Sequence, residues 1–189
     1  MTRWAPAKAD ILSELADEIR HNYGSGRSIV AVDGLTGSGT SGFADDLADA
    51  FRAAGSQVVR AAIDDYSRSD AGASTSAQTY YDTAYDYDAL RSSLIVPFRR
   101  GESGPEGDAV LIVDGVFLLR PELAGVWQST VCLFVPAEDA FGRADLDPAS
   151  TRADAERLYL HRVDPRRKAL ANIDNTDPEH PRRTFSDSC

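Results

Sequence analysis

Lysine is nearly absent from this 189-residue chain. Lys8 and Lys168 are the only two, and arginine carries almost all of the positive charge. Cysteine is as scarce. Cys132 and Cys189 cannot build a disulfide framework, and Cys132, inside an apolar run, reads as a buried core thiol. No apolar run approaches the length of a membrane span and no secretory leader is visible, so membrane partners are excluded and a cytoplasmic location is expected. Basic charge is also in deficit: 30 acidic against 20 basic side chains give a formal net charge of -10. That balance excludes a nucleic-acid-binding surface, a local arginine cluster apart. Internal repeats and low-complexity linkers are missing. With 42% hydrophobic residues the chain can bury one sizeable core, so residues 1–189 are expected to form a single domain. A homo-oligomer is compatible with the sequence, which does not fix the oligomeric state.

What is present is a glycine-rich segment, IVAVDGLTGSGTSGF, from Ile29 to Phe43. Ile29 to Val32 is the short, β-branched run of a fully buried strand. Four glycines follow in nine positions: Gly34, Gly37, Gly39 and Gly42. Phe43, Leu47, Ala50 and Phe51 then repeat with helical spacing. Strand, glycine loop and helix together make a phosphate site, because the curled backbone aims N–H groups at one anion and the helix N-terminus adds positive potential. Two motifs compete. Gly34, Gly39 and Ser41 fit the P-loop pattern G-x-x-x-x-G-K-[ST], with Thr40 where the lysine belongs. Gly37, Gly39 and Gly42 fit the dinucleotide pattern G-x-G-x-x-G, and the pair Asp64–Asp65 follows at about the distance of a ribose-binding carboxylate. Spacing from the strand favours the P-loop, since Gly34 stands at the strand end and Gly37 lies several residues beyond it.

The rest of the chain alternates helix and strand. Residues 5–22 read as an amphipathic helix on Ile11, Leu15 and Ile19, ending in a loop by residue 24. A second strand spans 57–63 and ends in Asp64-Asp65-Tyr66; a polar, mobile loop covers 67–79. Next come Tyr80 to Asp88, dense in rings and carboxylates, and a helix from Asp88 that Pro97 is expected to stop. Strands are expected at 109–113, 130–135 and 171–173, helices at 138–143 and 157–163, and an extended or partly disordered tail from Asn175. This alternation predicts a parallel α/β sheet covered on both faces.

Five stretches in this order, GLTGSGTS, IDDYS, YYDTAYDYDAL, VLIVDGVFLL and DPRRKALANIDNTDP, resemble the uridine kinase branch of the phosphoribulokinase/uridine kinase superfamily. The resemblance covers most of residues 29–178. It implies a P-loop kinase-type three-layer fold with a central five-stranded parallel sheet. It implies transfer of the γ-phosphate of ATP, with Mg²⁺, to a hydroxyl of a nucleoside (uridine- or cytidine-like) or another small-molecule acceptor.

On that resemblance the residues take roles. The N–H groups of Thr36, Gly37, Ser38, Gly39, Thr40 and Ser41 would cradle the β-phosphate, within a nucleotide-binding loop that runs from Gly34 to Gly42. Ser41 and Asp114 would serve Mg²⁺. Asp64 would be the general base and, with Tyr66, Tyr81 and Asp82, would contact the acceptor. The family's His-Pro after the equivalent of Asp82 is replaced by Thr83-Ala84, so the nucleoside preference is open. Residues 143–160 match a lid, in which Arg143, Arg152 and Arg157 are candidates for phosphate contact and Arg143 and Arg157 are the expected catalytic arginines. Asn172 to Asp177 would lie near the adenine. Thr40 leaves three alternatives: an arginine takes the lysine's place, the substitution is engineered, or the protein binds nucleotide without transferring phosphate. A dinucleotide-dependent oxidoreductase is the further alternative.

Overall fold

The computed structural model describes residues 7–184. Cys189 and the first residues of the expected 5–22 helix lie outside them. Helix α1 (Lys8–Tyr23) buries Ile11, Leu12, Leu15, Ala16 and Ile19 and leads into β1 (Arg27–Gly34). Helix α2 (Thr40–Ala53) follows the glycine loop, and β2 (Gln57–Ala62) follows the turn at Gly55. Then come α3 (Ala77–Thr83), α4 (Tyr87–Ala89), α5 (Val96–Arg100) and β3 (Ala109–Gly115). The chain closes with β4 (Ser129–Phe134), α6 (Ala137–Arg143), α7 (Thr151–Val163), α8 (Pro165–Lys168), β5 (Ala171–Asp174) and β6 (Arg182–Thr184).

The sheet order is β2-β3-β1-β4-β5-β6. The first five strands run parallel and β6 pairs antiparallel with β5, Asn172 opposite Thr184 and Asp174 opposite Arg182. The glycine-loop strand β1 is therefore central, and its side chains feed two cores. Ile29 and Ala31 face one layer with Leu111, Val113, Phe117 and Tyr159. Val30 and Val32 face the other with Ile112, Val131, α1 and α2. Strands buried on both faces need unbroken apolar runs, which β1 and β3 have.

Two expectations change. The five-stranded parallel sheet carries a sixth, antiparallel edge strand drawn from the tail. Its three residues, Arg182 to Thr184, are too short and too charged to show a strand pattern, and Arg183 fixes it to α1 by an ion pair with Glu18 at 2.6 Å. Pro97 does not stop its helix. The chain widens into a π-turn at Leu90–Ile95, and Pro97 then falls in the first turn of α5, where no amide hydrogen is required. Among the described residues no helix is long and apolar enough to cross a membrane.

Candidate active site

The glycine loop runs from Gly34, the last residue of β1, to Gly39, which caps α2. Leu35 anchors it in a small core with Val135, Ala140, Phe141 and Ala153. The Ser38 N–H closes the turn on the Leu35 carbonyl at 2.8 Å, and the Asn175 side-chain amide holds the Ser38 carbonyl at 2.8 Å. Gly37 has φ +81, and a Cβ there would stand 1.9 Å from the Ala140 carbonyl oxygen of α6, so glycine is obligatory. At the start of α2 the N–H groups have no helical carbonyl to reach, and with the helix dipole they form an anion site. The expected cradle is narrowed at two positions. The Thr36 N–H donates to Glu156 Oε2 at 2.9 Å and the Ser38 N–H is spent on Leu35, which leaves Gly37, Gly39, Thr40 and Ser41.

The loop opens into a cleft of about 230 Å³ that Asp64, Gly115, Val116 and Arg152 also line. It sits at the carboxyl ends of the parallel strands, where open α/β sheets bind ligands. A larger cavity of about 420 Å³ lies at the opposite end of the sheet beside Arg20, Gly26 and Asp108. Ser41 lines the cleft, and its Oγ donates to Oδ2 of the buried Asp114 at 2.7 Å. Arg60 binds the other oxygen of Asp114 at 2.8 Å and is itself held by Asp45 and the Ile112 carbonyl. A hydroxyl and a carboxylate are the hard oxygen donors that Mg²⁺ uses when nucleotide phosphates supply the rest of its shell. Among the described residues no group of three or more His, Cys, Asp or Glu could hold a metal ion.

Asp64 follows β2 on a short helical turn, Ile63–Tyr66, whose Ile63 is fully buried and leaves Asp64 exposed toward the cleft. The Tyr85 hydroxyl donates to Asp64 Oδ1 at 3.0 Å and fixes the carboxylate. Burial raises the pKa of the Tyr85 phenol, and the Asp64 charge adds to the rise, so this hydroxyl stays a donor. Burial likewise raises the pKa of Tyr80, with Arg152 opposing and Glu156 and Asp64 adding, which places Tyr80 beside the same charged groups. Asp65 turns back to accept the Ala62 N–H at 3.4 Å, as a local cap.

Several expected contacts lie elsewhere. Tyr81 is a core residue: it is 5% exposed, packs edge-on against Phe117 at 5.2 Å and carries the Arg120 guanidinium over its ring at 4.4 Å. It cannot wall a substrate. Asp82 projects from the exposed side of α3 and accepts from Gln78 at 2.7 Å. The Tyr66 hydroxyl meets Ser93 at 3.4 Å, away from the cleft lining. Arg143 donates to the carbonyls of Asn175 and Thr176, at 3.3 and 2.6 Å, rather than toward the loop. Arg157 pairs with Glu138 and Asp154 on the surface, because α7 turns it away from the loop. Of the three arginines the structure brings Arg152 to the cleft.

Glu156 and Tyr85 complete the site, and neither stands out in the sequence. Glu156 is 0% exposed. An Arg–Glu pair four apart on a helix reads as solvated surface charge, and a tyrosine among four reads as packing. Asp33, at the end of β1, is a third hidden group. It is fully buried under the Leu118 N–H at 2.8 Å and the Tyr159 hydroxyl at 3.0 Å, and burial outweighs these donors to push its pKa up to about 7.

No protein-family model and no curated protein sequence matches the chain. Solved structures do. One, described as a "Possible Uridine Kinase from Bacillus stearothermophilus", superposes with a TM-score of 0.68 at 21% identity over 87% of this chain and 98% of its own. Another, a "putative fructose transport system kinase from Silicibacter sp. TM1040", gives a TM-score of 0.59 at 20% identity over 82% of this chain and 94% of its own. The α/β architecture built here around the Gly34–Gly42 loop is thus the fold of uridine kinase-like P-loop structures.

Proposed function

We propose that the protein is an ATP-dependent phosphotransferase acting on a hydroxyl of a small molecule, with uridine- and cytidine-like nucleosides as the first acceptor class to test. The observation that supports this reading is that one cleft is lined by the phosphate loop, with Ser41, and by the Asp64 carboxylate, while Ser41 is hydrogen-bonded to the buried Asp114. The strand order argues against the dinucleotide alternative. In the dinucleotide fold β2 lies beside β1, whereas here β3 lies between them.

In this reading the N–H groups of Gly37, Gly39, Thr40 and Ser41 bind the nucleotide phosphates. Ser41 and Asp114 would hold Mg²⁺, which neutralises charge on the β- and γ-oxygens when bound. The acceptor hydroxyl sits against Asp64, which Tyr85 keeps oriented. As the acceptor oxygen bonds to the γ-phosphorus, its proton passes to Asp64 and the bond to the β–γ bridging oxygen breaks, releasing ADP. Tyr81 and Asp82 do not line the cleft, so nucleoside contact through them loses its support and hexoses or pentoses belong in the same panel.

Thr40 favours a second reading, a nucleotide-binding protein that transfers nothing. The experiment is incubation with Mg-ATP and a panel of nucleosides and sugars, followed by mass spectrometry for phosphorylated product. Product with any acceptor supports the kinase. ATP binding with no product from the whole panel hands the site to the second reading.

A further inference from the structure

We infer that Arg152 supplies the cation that Thr40 leaves out of the phosphate loop, and that Glu156 is the positioning residue that holds it there; this rests on the ATP-site reading above. The loop pattern requires a positive group near the β- and γ-phosphates, and the chain's two lysines, Lys8 and Lys168, do not line the cleft. Lys8 pairs with Asp46 at 2.6 Å. Lys168 lies in α8, by a separate cavity near Leu119 and Leu170. Arg60 is held by Asp114, Asp45 and backbone carbonyls and does not line the cleft. Among the described residues, Arg152 is the cationic side chain that lines the cleft with Gly34 to Gly42 and Asp64.

Its placement is built. Arg152 Nη2 donates to Thr36 Oγ1 at 2.7 Å, and Arg152 Nε donates to Glu156 Oε1 at 3.2 Å. Glu156 also accepts the Thr36 hydroxyl at 2.5 Å and the Thr36 N–H at 2.9 Å. One buried carboxylate therefore clamps both the loop and the guanidinium. Glu156 has no solvent exposure, whereas the Arg152 side chain retains 34%. The anionic half of the pair is turned into the protein and the cationic half toward the cleft. The hydrogens on Nη1 have no partner among the described residues and remain for an anion. An ion-paired cation serves phosphate well elsewhere: protein kinases align their phosphate-binding lysine with a helix glutamate. Here a helix supplies both members, four residues apart, and an arginine fork suits terminal phosphate oxygens.

The γ-phosphate distinguishes ATP from ADP, so the ratio of their affinities, measured calorimetrically with Mg²⁺, reads this cation directly. Arg152→Gln should lower the preference for ATP by about tenfold or more and leave ADP affinity within about twofold. Glu156→Gln should do the same, because its amide group opposes the Thr36 N–H or the guanidinium, donor against donor. Adding Thr40→Lys should restore the preference in both backgrounds. A purely structural Glu156 would lower ATP and ADP affinity together and would not respond to a lysine in the loop. An unchanged preference in Arg152→Gln, equal loss of both nucleotides, failure of Thr40→Lys to restore, or a native protein that does not prefer ATP would each overturn the inference. If Glu156→Gln fails to fold, Glu156→Asp keeps the charge and draws it back by one methylene, and Arg152→Gln still decides the cation's identity. Transfer to an acceptor is scored separately. Full ATP preference with rescue but no product leaves this inference standing and removes the kinase reading; product formation indifferent to Arg152 does the reverse.

Discussion

Gly37→Ala isolates the geometry that makes the phosphate loop. The residue sits at φ +81, where an L-residue with a Cβ costs about 1–2 kcal/mol more than glycine. The new Cβ would also lie 1.9 Å from the Ala140 carbonyl oxygen and 2.8 Å from its carbon. Both are backbone atoms of α6, whose neighbour Phe141 is fully buried, so the obstacle cannot swing aside. Moving it is an overpacking strain of about 1–3 kcal/mol. Together the two terms reach about 2–5 kcal/mol, a large part of the roughly 5–15 kcal/mol that holds a domain folded. The Gly42 position is the control: it lies in the first turn of α2 with an ordinary φ, and a Cβ added there would meet nothing within 4 Å. Gly42→Ala should stabilise by up to about 1 kcal/mol. Urea titration of both variants, with calorimetric ADP binding alongside, gives the comparison. Gly37→Ala should lose both stability and nucleotide affinity. A Gly37→Ala protein that unfolds at the native midpoint and binds ADP normally would refute the close loop–α6 approach on which the site depends.

The remaining expectations follow from placement. Asp64→Asn should lower turnover by about 10²-fold or more with ATP affinity unchanged, and steady-state kinetics with any accepted substrate would show it. Asp82→Ala, on the exposed side of α3, should shift stability by less than about 0.5 kcal/mol and leave the acceptor KM unchanged. Tyr81→Ala should destabilise by about 3 kcal/mol or more in urea, because it empties the ring cluster of Phe117 and Tyr159. Asp33 gives a pH signature. Its folded pKa, about 7, stands above the ordinary 3.8, so the folded protein holds a proton that the unfolded chain releases, and this group's contribution to stability falls as pH rises from about 4 to 7. Asp33→Asn should therefore gain stability relative to the native protein across that window, by an amount on the order of a few kcal/mol, and show a constant difference above it. A difference that is flat from pH 4 to 8 would mean Asp33 is ionised throughout.

Much of the fold was legible because its signals are local. Ile29 to Val32 and Ala109 to Val113 are apolar on both faces, which reads as buried parallel strand, and both are central in the sheet. The glycine spacing pointed to a loop that starts at the strand end, and β1 ends on Gly34 itself. Failures came where a local signal has two physical outcomes. Proline breaks a helix unless the residues before it form a turn that makes its missing N–H harmless, as Leu90 to Ile95 do ahead of Pro97. Tyr81-Asp82 looked like a ring and a carboxylate offered to a ligand. Helix α3 instead faces Tyr81 into the core and leaves Tyr80 beside Arg152 and Asp64, a choice set by which face α7 covers.

The site itself was legible on one side only. Sequence shows the missing lysine at Thr40 and the serine and carboxylate that remain, because those positions are fixed relative to the glycines. It does not show what faces them. The Thr36–Glu156 contact spans 120 residues and exists because Leu35, Val135, Phe141 and Ala153 share one apolar cluster that draws α7 onto the loop. On the helix alone Arg152 and Glu156 form an exposed i, i+4 pair worth about 0.3–0.5 kcal/mol. With Glu156 fully buried the same pair changes character. A carboxylate taken out of water must be matched by donors, and Thr36 contributes two and Arg152 a third. Removing one partner would strand the charge, so the burial that hides Glu156 from sequence reading also makes the arginine's position rigid. A loop lysine is a flexible point charge tethered beside its phosphate. The arrangement at Thr36 delivers a guanidinium from another helix, held by a carboxylate that cannot leave.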